Sequence, residues 1–266
     1  MADSDTEPTP PAPDLVPSTP ATPATPAAAA GVFGPRLALA ERYVARLADT
    51  GISHGLIGPR EAPRLWDRHV LNCAVVEVVI QDGASVIDIG SGAGLPGLVL
   101  AIVRPDLRLR LIEPLARRTA WLESTVEALG LDNVTVHRAR AEAVVGELVA
   151  DCVTARAVTA LPRLIELAFP LLRPGGSLVA LKGASAAAEL TESGAILRRY
   201  AVASAAVREV GAEVVDPPTT LVIVTASPAH QPSAPRPSAG AGRSGRGRER
   251  RNTADSGRGR RTGRGR

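Results

Sequence analysis

From Phe33 onward the chain moves between two hydrophobic rhythms. Leu37, Ala40, Tyr43, Val44 and Leu47 recur at helical spacing and Gly51 ends the run, which predicts an amphipathic helix. Leu65, Val70, Leu71 and Val75 predict a second helix from about Arg64 to Ile80, with Arg64, Arg68 and His69 near its start. After Asp82-Gly83 short apolar runs take over. Strands are predicted near 85–89, 108–112, 134–138, 152–156, 177–182, 205–210 and 219–225. Helices are predicted near 96–103, 116–129, 141–149, 161–172 and 187–200. Arg104-Pro105-Asp106 and Arg173-Pro174-Gly175-Gly176 punctuate helix ends, where proline and glycine belong. Strands alternating with helices imply an α/β fold: a mostly parallel seven-stranded sheet with helices on both faces. Its last two strands form an antiparallel hairpin turning at Pro217-Pro218. Residues 31–82 then form an N-terminal helical cap and 83–225 the core.

Both ends break the pattern. Residues 1–30 hold eight prolines, four acids and no base, with too little apolar surface to offset the entropy of ordering, so they are predicted disordered. From 226 to 266 periodicity gives way to Ser, Pro, Gly and Arg, predicting a disordered basic tail. Residues 236–266 carry eleven arginines against Glu249 and Asp255, a charge of +9. Removing that, and the −4 of residues 1–30, from the total of +4 leaves −1 for residues 31–235. The basic character lies in the tail.

The remaining composition narrows the classes. A chain of 266 residues, 45% hydrophobic, suffices for one sizeable core with extensions. Cys73 and Cys152 lie far apart, without a C-x-x-C pair or histidines at metal spacing. That supports neither a disulfide framework nor a structural metal, and both are expected as buried thiols in a reducing cytosol. No run approaches transmembrane length, and the N-terminus lacks the order of a signal peptide. A cytoplasmic protein with no membrane partner is expected.

The candidate chemistry sits in Ser85–Gly97, S-V-I-D-I-G-S-G-A-G-L-P-G. A strand running into a glycine-dense turn and then a helix opens a Rossmann-like nucleotide-binding unit. Glu113 ends the next strand, where a carboxylate would meet a ribose diol. Gly92-x-Gly94-x-x-Gly97 formally fits a dinucleotide, so an NAD oxidoreductase stays open. Three details favour S-adenosyl-L-methionine instead. Asp88 lies inside the strand end, suited to a ligand α-amino group; Gly90-x-Gly92-x-Gly94 begins two residues later; and the sheet closes with an extra hairpin strand.

The chain resembles the bacterial guanine-N7 methyltransferases of small-subunit (16S) ribosomal RNA, the RsmG/GidB family. The matching pieces are Leu65-Trp66-Asp67-Arg68-His69, Ile87–Gly97, Ile102-Val103-Arg104-Pro105, Thr154-Ala155-Arg156-Ala157 and Ala180-Leu181-Lys182-Gly183. They fall within roughly 33–225. The resemblance implies a class I methyltransferase fold, with S-adenosyl-L-methionine contacts at Gly90, Leu95, Ala141, Glu142 and Arg156 beside Asp88, Gly92, Gly94 and Glu113. It also implies 16S rRNA, or an assembling small subunit, as partner. Gly55-Leu56-Ile57-Gly58 and Leu71-Asn72-Cys73 depart from the family's usual Asn-Leu-Thr and Leu-Asp-Ser, which touches substrate contacts and not the cofactor site.

Guanine N7 bears a lone pair and no proton, so methylating it needs placement and no general base. Consistently, no Asn-Pro-Pro-aromatic motif follows the fourth predicted strand, and Cys152 reads as core. Lys182, the only lysine among thirty-one basic residues, ends the fifth strand and is the candidate catalytic residue, positioning a phosphate or guanine O6. Arg68 and His69 are further candidates for RNA contact. Plainer alternatives stand beside these: a surface ion pair for Arg156, a solvated lysine, a satisfied helix histidine. So do two other functions, a small-molecule methyltransferase and a non-enzymatic RNA-binding protein on this fold. A monomer is the default expectation.

Overall fold

Each predicted strand forms, and the sheet closes as expected. The computed structural model describes residues 22–200 and 202–232, all within one unit, Met1–Pro235. The strands are β1 (Ser85–Ile89), β2 (Arg108–Ile112), β3 (Val134–His137), β4 (Ala150–Arg156), β5 (Leu172–Lys182), β6 (Val202–Val210) and β7 (Thr219–Ala226). Their order is β3-β2-β1-β4-β5-β7-β6, with β1 to β5 parallel and β7 antiparallel to both neighbours. The helices are α1 (Ala27–Phe33), α2 (Leu37–Arg46), α3 (Asn72–Ala74), α4 (Gly97–Val103), α5 (Ala116–Leu129), α6 (Leu161–Ala168), α7 (Ala186–Glu192) and α8 (Gly194–Arg199).

Strand alternation divides the core between two faces. Val86, Leu109 and Leu111 pack with Leu98, Leu100 and Trp121 of α4 and α5. Tyr43, Leu47, Leu65 and Leu71 belong to this same cluster, so the N-terminal helices are a structural layer of the core. Ile87, Ile89 and Ile112 face the other way, onto Leu164 and Ile165 of α6 and onto Phe169. Polar bonds tie α2 to α5: Arg46 Nε donates to Thr125 Oγ1 at 3.2 Å, and Arg42 bonds the Ala128 carbonyl.

Several elements differ from the sequence expectation. Where a helix over 141–149 was expected, a single tight turn, Ala141–Val144, forms. Val145 is extended and Gly146 has φ +88°, which ends it. The helix expected over 161–172 stops at Ala168, and a turn holding Pro170 leads into β5 five residues early. Gly176 permits this early pairing, since a Cβ there would stand 2.9 Å from the Asp151 carbonyl oxygen. The helix over 187–200 divides at Ser193, whose Oγ donates to the Glu189 carbonyl at 2.7 Å. In the second cap helix, Leu65–Leu71 forms wide π turns. Leu65 and Val70, like Trp66 and Leu71, are five apart, and the wider turn buries all four.

The domain boundaries also shift. Helix α1 starts inside the segment expected to be disordered, because Ala29 and Phe33 are buried and Phe33 meets the Trp66 ring edge-on at 6.3 Å. Beyond β7, His230 donates from Nε2 to the Phe169 carbonyl at 2.9 Å and packs on its ring. The ordered part therefore passes Ala226. The rest of both tails lies outside the described residues.

Candidate cofactor and substrate clefts

The Gly90–Gly94 loop leaves β1 at the carboxyl edge of the sheet, where the strand order reverses between β1 and β4. Gly90, Gly92 and Gly94 all take positive φ (+68°, +55° and +87°). Their surroundings differ. A Cβ on Gly94 would lie 2.4 Å from Leu98, and one on Gly97 would lie 2.3 Å from Leu111, so both glycines serve packing. Above Gly92 there is open space, the nearest atom being the Gly90 oxygen at 3.8 Å. The backbone is therefore uncrowded at that position.

Two acids shape the loop from below. Asp88 is fully buried, its Oδ1 accepting from Thr154 Oγ1 at 3.0 Å and its Oδ2 from the Gly97 N–H at 3.2 Å. Burial pushes its carboxyl up to about 6, against the opposing pull of the Ser91 and Thr154 hydroxyls and the Gly97 N–H. Expected to face a ligand amino group, it has no exposed surface here and staples β1, β4 and α4 together. Glu113 is 1% exposed, with Oε2 accepting from the Gly92 N–H at 3.1 Å and Oε1 from the Leu115 N–H at 3.0 Å. It is turned onto the loop beside the cleft. Sequence reasoning missed Tyr43, a buried cap residue whose hydroxyl donates to the Ala93 carbonyl at 2.7 Å. A contact across fifty residues leaves no local signal.

A cleft of about 290 Å³ opens beside Gly90, with Ile112 and Pro114 on one side and Ala139, Ala141 and Glu142 on another. Val158, Thr159 and Arg163 complete it. Gly90, Ala141 and Glu142 thus converge as expected, and Glu142 is engaged at the rim by Arg163 Nη2 at 2.5 Å. Leu95 is buried in the core beyond the loop and does not line the cleft.

Arg156 does not line this cleft. At the end of β4 it turns to the cap, donating from Nη1 to Cys73 Sγ at 3.2 Å and from Nη2 to the Arg68 carbonyl at 3.2 Å. Nη2 also lies 2.9 Å from His69 Nδ1. His69 in turn lies 2.9 Å from Glu61 through Nε2, so it is a satisfied helix histidine within a bridge. Burial, then Arg156, lowers its pKa, while Glu61 raises it. Lys182 Nζ is likewise committed, to Thr159 O at 3.0 Å and Glu189 Oε2 at 2.7 Å. Arg68 lies at the surface, in a loose pair with Glu61 at 3.6 Å. Both cysteines are buried free thiols.

A Rossmann-like sheet carrying an antiparallel seventh strand, a glycine loop after β1 and an acid after β2 defines a class I S-adenosyl-L-methionine-dependent methyltransferase. The residues present fit that cofactor: the cleft beginning at Gly90 of the glycine loop combines Ile112, Pro114 and Ala139 with polar rim groups.

The family can be stated further. Residues 36–213 match the family model of GidB, rRNA small subunit methyltransferase G, and the chain belongs to that family. A ribosomal RNA small subunit methyltransferase G of Thermobifida fusca is 60% identical over 198 residues, covering 74% of this chain and 84% of that one. One from Pseudarthrobacter chlorophenolicus is 56% identical over 191 residues, covering 72% and 88%. Among solved structures, a SAM-dependent methyltransferase from Aquifex aeolicus is 19% identical with a TM-score of 0.47, covering 65% of this chain and 97% of that one.

Proposed function

We propose that the protein transfers a methyl group from S-adenosyl-L-methionine to N7 of a guanine in 16S ribosomal RNA, in the cytoplasm where small subunits assemble. The bound cofactor supplies an electrophilic methyl on a sulfonium. Ile112 and Ala141 would hold its adenine, and the backbone of Gly90 and Gly92 would receive its amino-acid part. Glu113, which accepts from the Gly92 N–H, would hold its ribose hydroxyls.

One observation favours N7 as acceptor: three side chains at the strand ends that could otherwise serve as a base are already committed. Lys182 is ion-paired to Glu189, His69 Nδ1 faces the Arg156 guanidinium, and Asp88 is buried under the loop. N7 has a lone pair and needs no base, only an in-line approach. The test is transfer of labelled methyl into small subunits from a strain deleted for this gene, with the rRNA mapped by nuclease digestion and mass. A single new 7-methylguanine is expected; label on an exocyclic amine or a carbon would refute the assignment.

A further inference from the structure

A second cleft, about 480 Å³, lies at the carboxyl end of β5, between the cap and the turn that joins β6 to β7. Its volume is within the range of roughly 300–1,000 Å³ that small-molecule sites occupy. It is physically coupled to the cofactor cleft. Lys182 lines it and bonds the carbonyl of Thr159, which lines the cofactor cleft. Arg68 also lines it, and its carbonyl is held by Arg156 from the end of β4. The walls of the two cavities are therefore joined through Arg156 and Lys182 at the β4 and β5 strand ends.

The walls differ in charge. The cap contributes Arg64 and Arg68, both exposed, and Arg64 has no ion pair among the described residues. The hairpin contributes Glu209 and Asp216, which likewise have none among the described residues, while Asp67 of the cap lies between the two arginines. Guanidinium groups suit a phosphate. Carboxylates suit an edge made of N–H donors, and guanine alone among the bases presents N1–H and N2–H₂ together. A guanine held by its N1 and N2 donors leaves N7, on a different edge, free to face the cofactor.

We propose that this second cleft is the acceptor site, seating the target guanosine nucleotide with its phosphate on Arg64 and Arg68 and its N1/N2 edge toward Glu209 and Asp216. The assignment rests on the guanine-N7 reading above and names where that nucleotide sits.

Gly183 provides the test. It lines the cleft, and a Cβ there would meet nothing within 4 Å, so Gly183→Leu fills the cavity without straining the fold. Gly31→Leu is the control, filling the separate groove beside Ala28 and Val32 at an equally open position. The full chain is titrated calorimetrically with guanosine and adenosine 5′-monophosphates in the presence of S-adenosylhomocysteine, and methyl transfer to small subunits is measured alongside. Wild type and Gly31→Leu should bind the guanosine nucleotide in preference to the adenosine one. Gly183→Leu should lose both that binding and transfer, with S-adenosylhomocysteine affinity and Tm unchanged. Arg64→Ala/Arg68→Ala should raise KM for RNA by about tenfold or more with kcat held, as expected for lost charged contacts.

Absence of guanosine-nucleotide binding to wild type, equal binding of the adenosine nucleotide, or Gly183→Leu behaving as wild type would each overturn the assignment. A wild type that binds the guanosine nucleotide through this cleft but leaves 16S rRNA unmethylated would instead refute the function proposed above. The two failures are thus separable.

Discussion

His69 Nδ1 lies 2.9 Å from Arg156 Nη2, and a guanidinium only donates, so that ring nitrogen carries no proton. The proton sits on Nε2 and is donated to Glu61 Oε2 at 2.9 Å. One neutral imidazole thus links the cap to the end of β4. Protonating it would place an N–H against the guanidinium and break the link.

The pH dependence follows in sign. Burial, then Arg156, depresses the folded-state pKa of His69 below its ordinary 6.5, so the unfolded chain takes up the proton first. This stabilisation is fully present above 6.5 and is lost as pH falls through that value toward the folded one. Glu61, lowered chiefly by its bond from His69, adds a loss that begins at its ordinary 4.5. In melts from pH 8 to 5, wild type should lose Tm relative to His69→Gln on acidification. Parallel curves would show that the bridge does not titrate.

The loop glycines should separate by role. Gly97→Ala forces a Cβ to within 2.3 Å of Leu111 and 2.8 Å of Asp88 Oδ2, an overpacking that costs about 1–3 kcal/mol. Gly92→Asp meets no atom nearer than 3.8 Å, and although φ +55° strains a side-chain-bearing residue, Asp tolerates the left-handed region better than most, so its melting temperature should fall less. Its carboxylate would occupy the ligand's place and oppose the ligand's own carboxylate. Calorimetry should show cofactor binding abolished in Gly92→Asp. Retained affinity there would remove this loop from the cofactor site.

Lys182 should act through the loop it holds. Its bonds to Thr159 and Glu189 are part-buried, and losing them costs about 1–3 kcal/mol. Lys182→Met and Glu189→Gln should therefore share one defect, a lower Tm with weakened cofactor binding through Val158 and Thr159. A Lys182 that contacts RNA directly would raise KM for RNA in its own variant and leave Glu189→Gln near wild type.

Legibility followed the range of the forces involved. β1 and β2 occupy the residues their apolar runs predict, because both are central strands and local alternation decides them. The expected 141–149 helix failed on a local feature, the positive φ of Gly146, which outweighed a weak helical period. Ala141 and Glu142 were nevertheless placed at the cleft, since position after β3 and not helicity brings them there. Asp88, Arg156 and Lys182 were singled out for ligand contact, but their protein partners were hidden. Thr154 and Cys73 lie 66 and 83 residues from the groups they bind. Sequence shows that a charge stands at a strand end; only packing decides whether it faces ligand or protein.

The C-terminal arm supplies the last prediction, and the structure moves its boundary. The family match ends at residue 213, and β7 continues to Ala226, but His230 still packs on Phe169. Truncation after Ala226 should therefore lower Tm, whereas truncation after Pro235 should not. Residues 31–235 carry a net charge of −1, so long-range attraction between that body and RNA is weak. Residues 236–266 carry +9 on a Gly- and Arg-rich sequence without large apolar side chains to set a register. Such a segment gains affinity from phosphates and contributes no choice of base. Each phosphate contact it makes steepens the fall of log affinity with log salt by about 0.7–0.9. The chain ending at Pro235 should thus bind RNA more weakly at low salt and with a flatter slope. Its cofactor affinity and the nucleotide it methylates should be those of the full chain. A lost or relocated 7-methylguanine in rRNA treated with the truncated enzyme would make the arm a specificity element and overturn this prediction.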